Sequence, residues 1–467
     1  MEGAKLSPLD EENDKFREEC GLFGGVINDE NNLQTTCFAL YALQHRGQES
    51  AGIAINDGER VWNQKGMGLV SEVFSDMGTM DHYKGNMVLG HVRYSYGEDG
   101  TRPENTQPLL FRYRFGEMAI AHNGNLLNHQ KLREGLESQG SIFQTTTDSE
   151  LLAHFVAREG SPDLEEALKQ VVPVLKGGYA FVILNGEQVI GIRDPMGIRP
   201  LSLGKLNQDE YILASETCAF NAIGAEFIRD VKPGEMITIN DKWISSYRIT
   251  PSPRSALCVF EFIYFARPDS DLCHRNVHLV RRELGRKLAR EHPVDADIVI
   301  GVPDSSISAG SGFAEEAGIP YEMGLIKNRY IGRTFIQPTP EVRKLGVGIK
   351  LNPVKSIVQG KRVVIIDDSI VRGTTSMQLV KMIREAGARE VHMRISSPPV
   401  TSPCYYGINT PTQGELIASK GTDEIASLIG ADSLGFLSVE NMINAVGISG
   451  DQLCLACFTG EYPVTAE

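Results

Sequence analysis

The sequence predicts a two-domain chain, α+β in its first half and an α/β parallel-sheet domain in its second. Three observations carry the second of these. Residues 363–375, Val-Val-Ile-Ile-Asp-Asp-Ser-Ile-Val-Arg-Gly-Thr-Thr, pass from a short β-branched run through two carboxylates into a Ser/Gly/Thr turn. Residues 297–306, Asp-Ile-Val-Ile-Gly-Val-Pro-Asp-Ser-Ser, repeat that order of strand, polar turn and helix start. Further strands expected at 321–326 and 391–395 are separated from these by helical patterns, and strands alternating with helices argue a parallel sheet. A length of 467 residues allows about three domains or two large ones. The Pro-containing segment Thr-Pro-Ser-Pro-Arg at 250–254 reads as the linker between them.

The composition narrows the class. Hydrophobic content of 41% and charged content of 23% suit a globular chain with a sizeable core. With 60 acidic against 46 basic side chains and a net charge of -14, general nucleic-acid binding is disfavoured. No apolar run approaches the roughly 18 residues of a membrane span, and the most apolar stretch, 256–266, is interrupted by Glu261. The leading 19 residues carry Asp10, Glu11, Glu12, Asp14, Glu18 and Glu19 and lack the apolar core of a secretory signal, which points to the cytoplasm. Eight cysteines in so long a chain do not suggest a disulfide scaffold.

In the first half, residues 1–19 are polar, and the chain then changes abruptly to Cys20-Gly-Leu-Phe-Gly-Gly-Val26, a small-residue strand. A cysteine opening a domain is either a buried strand residue or, if the leader is cleaved after Glu19, a nucleophile beside a new α-amine. Such an amine titrates near neutral pH and serves as general base for its own thiol. A helical pattern covers 33–43, and 44–53 turns into a strand. Three polar islands follow beside apolar segments: Gly90-His-Val-Arg-Tyr-Ser95, Ala121-His-Asn-Gly-Asn125 and Thr145-Thr-Thr-Asp-Ser-Glu150. Taken singly, Arg93 is a surface ion-pair residue and Asp148 a helix cap.

As a set, Cys20, the 45–52 stretch, Arg93, Asn123, Gly124 and Asp148 resemble the class II glutamine amidotransferases from Cys20 to about Thr250. The resemblance implies an N-terminal-nucleophile hydrolase fold, an αββα sandwich of two antiparallel sheets between helical layers. Residues 178–184 and the turn-rich 193–201 suit its strands. It also implies roles: the Cys20 thiolate attacks the glutamine amide, and Asn123 with the Gly124 N–H forms the oxyanion hole. Arg93 and Asp148 then receive the α-carboxylate and α-ammonium of glutamine. Where the family usually carries threonine this chain has Tyr96, a bulkier group against the glutamine pocket or its closing loop.

In the second half, an amphipathic helix is expected over 273–292, with Val277, Val280, Leu284 and Leu288 on one face and Pro293 beyond it. The helix after the 363–375 turn rests on Met377, Val380 and Ile383 at three-residue spacing with Leu379 beside them, a Thr374 or Thr375 cap, and Gly387 as terminator. In an open α/β sheet, ligands sit outside the carboxyl ends of the strands, where loop amides and a helix N-terminus face an anion. That turn is therefore a place to hold a phosphate, with Asp367 and Asp368 in reach of a metal or of sugar hydroxyls. The stretch 365–375 resembles the phosphoribosyl-pyrophosphate (PRPP) loop of the type I phosphoribosyltransferases.

By that resemblance, Asp304, Ser305 and Ser306 face pyrophosphate, and Ser305, Asp367 and Asp368 match the magnesium positions. Asp367, Asp368, Ser369, Arg372, Gly373, Thr374 and Thr375 contact the ribose and its 5-phosphate. The segment 327–350 carries Lys327, Arg329, Arg333, Arg343, Lys344 and Lys350; it is a solvated basic loop or, over a polyphosphate, a closing lid. Cys454-Leu-Ala-Cys457 is a CxxC compatible with zinc or a redox pair. With Cys258 and Cys404 it resembles the ligand set of a [4Fe–4S] cluster in the iron–sulfur branch of the family. Cys37, Cys218 and Cys273 read as core or incidental thiols.

Together the motifs, over about residues 20–460, resemble the amidophosphoribosyltransferase family: a propeptide at 1–19, a glutaminase domain at 20–250, and a phosphoribosyltransferase domain with a cluster-binding C-terminal segment at 251–467. The implied partners are glutamine, PRPP, Mg2+, inhibitory purine nucleotides and other copies in a homotetramer, without nucleic acid or membrane. A non-catalytic PRPP or nucleotide sensor using the cluster as a redox element is the alternative, and intact Cys20, Asn123, Asp367 and Asp368 argue against it.

Overall fold

The computed structural model describes residues 20–75, 85–94, 102–252, 254–328, 351–410 and 413–465. The expected propeptide, Tyr96 and the basic segment from Arg329 to Lys350 lie outside the described residues.

Between Gly21 and Arg248 the chain forms β1 (Gly21–Val26), β2 (Ser50–Asn56), β3 (Val61–Met67), β4 (Met87–Arg93), β5 (Leu109–Tyr113), β6 (Gly116–Leu126), β7 (Gly177–Asn185), β8 (Val189–Arg193), β9 (Ser202–Lys205), β10 (Tyr211–Ala214), β11 (Glu226–Asp230), β12 (Glu235–Ile239) and β13 (Ile244–Arg248). They make two sheets, in the orders β11-β9-β10-β1-β4-β2-β3 and β13-β12-β8-β7-β6-β5. Successive residues of a strand point to opposite faces, and β1 shows the consequence. Leu22 and Val26 join Ala54, Leu89, Ala121, Val182 and Leu184 between the sheets. Phe23 faces outward, against Leu40 and Phe220 of helices Asn32–Ala42 and Thr217–Ile223. The other sheet is covered by helices Glu150–Glu159 and Leu164–Val171, through Leu152 and Leu168 on Ile120 and Phe181. This is the αββα sandwich expected from the sequence.

The second half is built on four parallel strands, Ile298–Gly301, Arg362–Asp367, Glu390–Ile395 and Ser433–Phe436, in that order. One row runs Ile300, Ile365, Met393, Leu434 across them. Helices Val277–Glu291 and Ile307–Ala317 cover one face, where Leu284, Leu288 and Phe313 meet Val299, Val364 and Ile366. Helices Thr374–Glu385 and Thr422–Ile429 cover the other, through Leu379, Ile383 and Ile425. Among the described residues no helix is long and apolar enough to cross a membrane.

Several local expectations change. Residues 194–201 form a turn between β8 and β9, because the Asp194 carboxylate accepts the N–H groups of Met196, Ile198 and Arg199. The amphipathic helix starts at Val277 and not at Cys273: Cys273 and His274 take φ of 48° and 59° in a hairpin turn, and the Asn276 side chain caps Leu279 N. Tyr321 contributes a single bridge to edge residue Val299, and Leu325–Lys327 pairs instead with Leu351–Pro353. The helix after the 363–375 turn is headed by Gly373 at φ 87°, a left-handed conformation that excludes Thr374 or Thr375 from the cap position. Its buried stripe is Leu379, Val380 and Ile383, with Met377 45% exposed. Strand Ser433–Phe436 and helices Thr422–Ile429 and Val439–Val446 had no counterpart in the sequence reading.

Candidate functional site

Two groups of polar side chains and a buried ionic junction between them dominate the chemistry. The first group lies at one end of the sandwich. Cys20 stands immediately before β1, and its thiol donates to the Tyr94 carbonyl at 3.4 Å. Arg93, buried, ends the neighbouring strand β4, opposite Ser50 in β2. Asn123 and Gly124 lie in β6 of the facing sheet, paired with Ala180 and Tyr179 of β7. His91 bridges the sheets by donating from Nε2 to the His122 carbonyl at 3.1 Å. Burial pushes its pKa down to about 3, so its ring is neutral.

The Asn123 amide is fully buried, and neither Oδ1 nor Nδ2 has a hydrogen-bond partner among the described residues. Buried polar atoms are nearly always satisfied, so such an amide marks a place that a ligand or water fills. Gly124 has φ +125°, and a Cβ there would come within 2.1 Å of the Gly178 carbonyl oxygen. Asp148 is no helix cap: Ser149 takes that position before Glu150, and Asp148 Oδ2 accepts from Leu126 N at 2.8 Å. Its Oδ1 lies 3.2 Å from His122 Nδ1. Burial would raise the Asp148 pKa, but the His122 charge and bond and the Leu126 amide hold it below the ordinary value.

The second group stands past the carboxyl ends of the parallel strands. Asp367 ends Arg362–Asp367, and Ser306 Oγ donates to its Oδ1 at 3.2 Å. Ser305 Oγ donates to Asp368 Oδ2 at 2.5 Å, and Ser369 Oγ to Asp368 Oδ1 at 2.7 Å. The turn before helix Ile307–Ala317 and the turn after Asp367 thus meet through hydroxyl–carboxylate bonds. Arg372 reaches Glu415 at 3.1 Å. Thr374 Oγ1 is buried at the helix head without a hydrogen-bond partner among the described residues, and no side chain caps that helix. Its first-turn amides therefore face the turn, as an anion site requires. Asp304 is exposed and pairs with Lys327 at 2.8 Å.

Between the two groups lies a junction that motif reading missed. Arg46 is completely buried, and its guanidinium donates to Glu216 Oε1 at 2.5 Å and to both Glu261 oxygens at 2.8 and 2.9 Å. Its Nε donates to the Cys20 carbonyl at 3.2 Å. His45 Nε2 adds a 2.7 Å bond to Glu216, and Ser270 Oγ another at 2.7 Å. Burial would raise the Glu216 pKa, but the charges of His45 and Arg46 drive it well below the ordinary value. Glu261 opens a π-helix, Glu261–Phe265, and the buried Arg281 donates to the carbonyls of Phe262 within it and of Ala266 just past its end. Burial pushes the Arg281 pKa down to about 10 against the opposing pull of Asp368 and Glu216. The available sequence signal was Glu261, an acid inside an otherwise apolar run.

The four singled-out thiols converge from three segments. Cys258 and Cys454 are register partners in the short parallel ladder Leu257–Cys258 with Leu453–Cys454. Burial pushes the Cys454 thiol up to about 12, with Cys404 adding to the rise. Cys457 is also raised well above the ordinary thiol value, by burial and then by Cys258, Cys454 and Cys404. Thiolates that raise one another in this way are a set a cationic centre would neutralise. Among the described residues no three His, Cys, Asp or Glu side chains close on a single metal ion.

A family profile described as a glutamine amidotransferase domain matches residues 91–222. The amidophosphoribosyltransferase of Bacillus subtilis (strain 168) is 53% identical over 454 residues, spanning 96% of this chain and 94% of that protein. That of Staphylococcus aureus (strain Mu50 / ATCC 700699) is 49% identical over 455 residues, spanning 96% and 91%. A solved structure described as the allosteric regulatory enzyme of purine biosynthesis matches at a TM-score of 0.91, with 52% identity over 96% of this chain and 97% of the other. Glutamine PRPP amidotransferase from B. subtilis, complexed with ADP and GMP, matches at 0.90, with 52% identity over 96% and 98%.

Proposed function

The chain belongs to the amidophosphoribosyltransferase family, and from that premise we propose how its residues divide the reaction. Glutamine, PRPP and water give 5-phosphoribosylamine, pyrophosphate and glutamate. In our division residues 1–19 are a propeptide, 20–250 hydrolyse glutamine and 251–467 transfer the ammonia.

Arg93 and Asp148 bind the α-carboxylate and α-ammonium of glutamine. The Cys20 thiolate attacks the side-chain amide carbon while its own α-amine takes up and returns the proton. Asn123 Nδ2 and Gly124 N–H receive the negative oxygen, and the orphaned Asn123 amide is the observation that carries this assignment. Ammonia leaves, water releases glutamate from the thioester, and the freed ammonia attacks C1 of PRPP with loss of pyrophosphate. The 372–375 turn holds the 5-phosphate by its amides and hydroxyls, and Asp367 and Asp368 hold ribose hydroxyls. Ser305, Asp367 and Asp368 are the residues that would hold Mg2+, an ion commonly bound by one or two carboxylates together with substrate phosphates. When bound it neutralises the pyrophosphate leaving group.

Cys258, Cys404, Cys454 and Cys457 would hold a [4Fe–4S] cluster, which would staple their three segments. Each thiolate there binds a different iron, so the four need not close on one ion, as they would around zinc. The ADP and GMP bound to the B. subtilis neighbour support inhibition by purine nucleotides, and we extend the reading to a cytoplasmic homotetramer.

The test is nitrogen-source dependence. Cys20→Ala abolishes pyrophosphate release with glutamine and leaves ammonia-dependent release intact. No PRPP-dependent release from wild-type protein with either source overturns the reading. N-terminal sequencing of active protein should begin at Cys20, and an intact Met1 start would sink the α-amine mechanism.

A further inference from the structure

The segment that carries Cys404 continues onto the strand that holds Asn123 and Gly124. Asn125 Nδ2 donates to the Tyr405 carbonyl at 2.9 Å. The Tyr406 carbonyl accepts from Nε of the buried Arg199 at 3.0 Å. Gly407, at φ +114°, lies so close that a Cβ on it would meet Gly124 Cα and C at 3.1 Å. A Cβ on Gly124 would itself strike the Gly178 carbonyl. Gly124 is therefore closely packed by both Gly178 of its own sandwich and Gly407 of the second half.

The clamp is itself anchored. Tyr406 is buried, its hydroxyl donates to the Val464 carbonyl at 2.8 Å, and it accepts from Val464 N at 3.0 Å. Tyr406 N bonds Cys404 Sγ at 3.4 Å, and Cys404 N bonds Thr410 Oγ1 at 2.7 Å. Glycine has the widest φ/ψ freedom of any residue, so contacts added to the β6–β7 pairing help to hold the Gly124 N–H in direction. An oxyanion donor stabilises the transition state by being aimed beforehand, and a displacement of about 1 Å can cost about 10²-fold.

We propose that residues 405–407, latched by Asn125, are positioning residues for glutamine hydrolysis: they hold the Gly124 N–H in place from the second half of the chain. The proposal rests on the oxyanion role of Asn123 and Gly124 given above.

The variants are Asn125→Ala, which removes the latch, and Gly407→Ala, which disturbs the clamp directly. Asn125→Ala should lower kcat with glutamine roughly tenfold, the scale of one lost hydrogen bond, with KM moving less than about twofold. Ammonia-dependent turnover should stay at the wild-type rate. Cys20 alkylation by iodoacetamide, which needs no oxyanion hole, should be unchanged, while labelling by a diazoketone analogue of glutamine slows. Asn125→Ala with wild-type kcat for glutamine would overturn the proposal, as would a parallel fall with both nitrogen sources or equal slowing of both reagents. If Gly407→Ala fails to fold, Asn125→Ala still decides. Wild-type protein that uses ammonia but not glutamine would overturn the underlying reading and this proposal with it.

Discussion

The junction around Arg46 and the turn after Asp367 both bury carboxylates, but they hold them with different partners. At the junction Glu216 and Glu261 are gripped by a guanidinium in bonds of 2.5 to 2.9 Å. In the turn Asp367 and Asp368 accept from the hydroxyls of Ser305, Ser306 and Ser369. A bidentate guanidinium is a fixed, charge-assisted partner. A hydroxyl is neutral and rotates, so it can be redirected when a cation or a sugar arrives. The first arrangement ties two halves of a chain together, and the second, in the proposed reaction, receives a ligand.

Breaking the junction gives the largest effect on stability. Arg46→Ala removes the guanidinium shared by two buried carboxylates, leaving Glu216 to His45 and Glu261 to Arg199 at 3.9 Å, and breaking buried pairs typically costs about 3–5 kcal/mol. Urea denaturation measures this, and a loss under about 1 kcal/mol would mean the junction is not what closes the halves. In the turn, Asp368→Asn keeps an acceptor for the serines and removes the charge. Stability should shift by less than about 1 kcal/mol, while turnover with either nitrogen source falls about 10²-fold. Retained ammonia-dependent pyrophosphate release would move PRPP elsewhere and dissolve the contrast.

The smallest effect is the pH dependence. Because the folded Glu216 pKa lies below its ordinary 4.5, Glu216 contributes stability above that value and loses it as pH falls through the folded pKa. The melting temperature should therefore drop as acid is added below about pH 4.5, and Glu216→Gln should flatten that part of the curve. A curve unchanged by the substitution would show that the acid response arises outside the junction.

How much of this was legible depended on distance along the chain. Asp367, Asp368 and the glycine-threonine turn are contiguous, so one stretch carried strand, charge and helix start together. Arg46 sat inside a stretch singled out for other reasons, but its partners lie 170 and 215 positions away, and Glu261 registered only as an interruption of apolar sequence. Asp148 was readable as a helix cap or a ligand. Only the Leu126 and His122 contacts removed the first choice. The helix over 374–385 was found, but its head and its exposed Met377 were misread, since a left-handed glycine and the position of a neighbouring helix leave no periodic trace.

Local order along the chain determined the two-part architecture, the alternation that buries both faces of β1, the acid pair at a strand end and the cysteine that opens the first half. Those follow from the period of side chains and from chemistry within a dozen residues. Packing decided that Arg46 joins Glu216 to Glu261, that four thiols from three segments meet, and that Gly407 presses on Gly124. Such contacts depend on how sheets and helices stack across hundreds of positions, and neither periodicity nor a local motif encodes that distance.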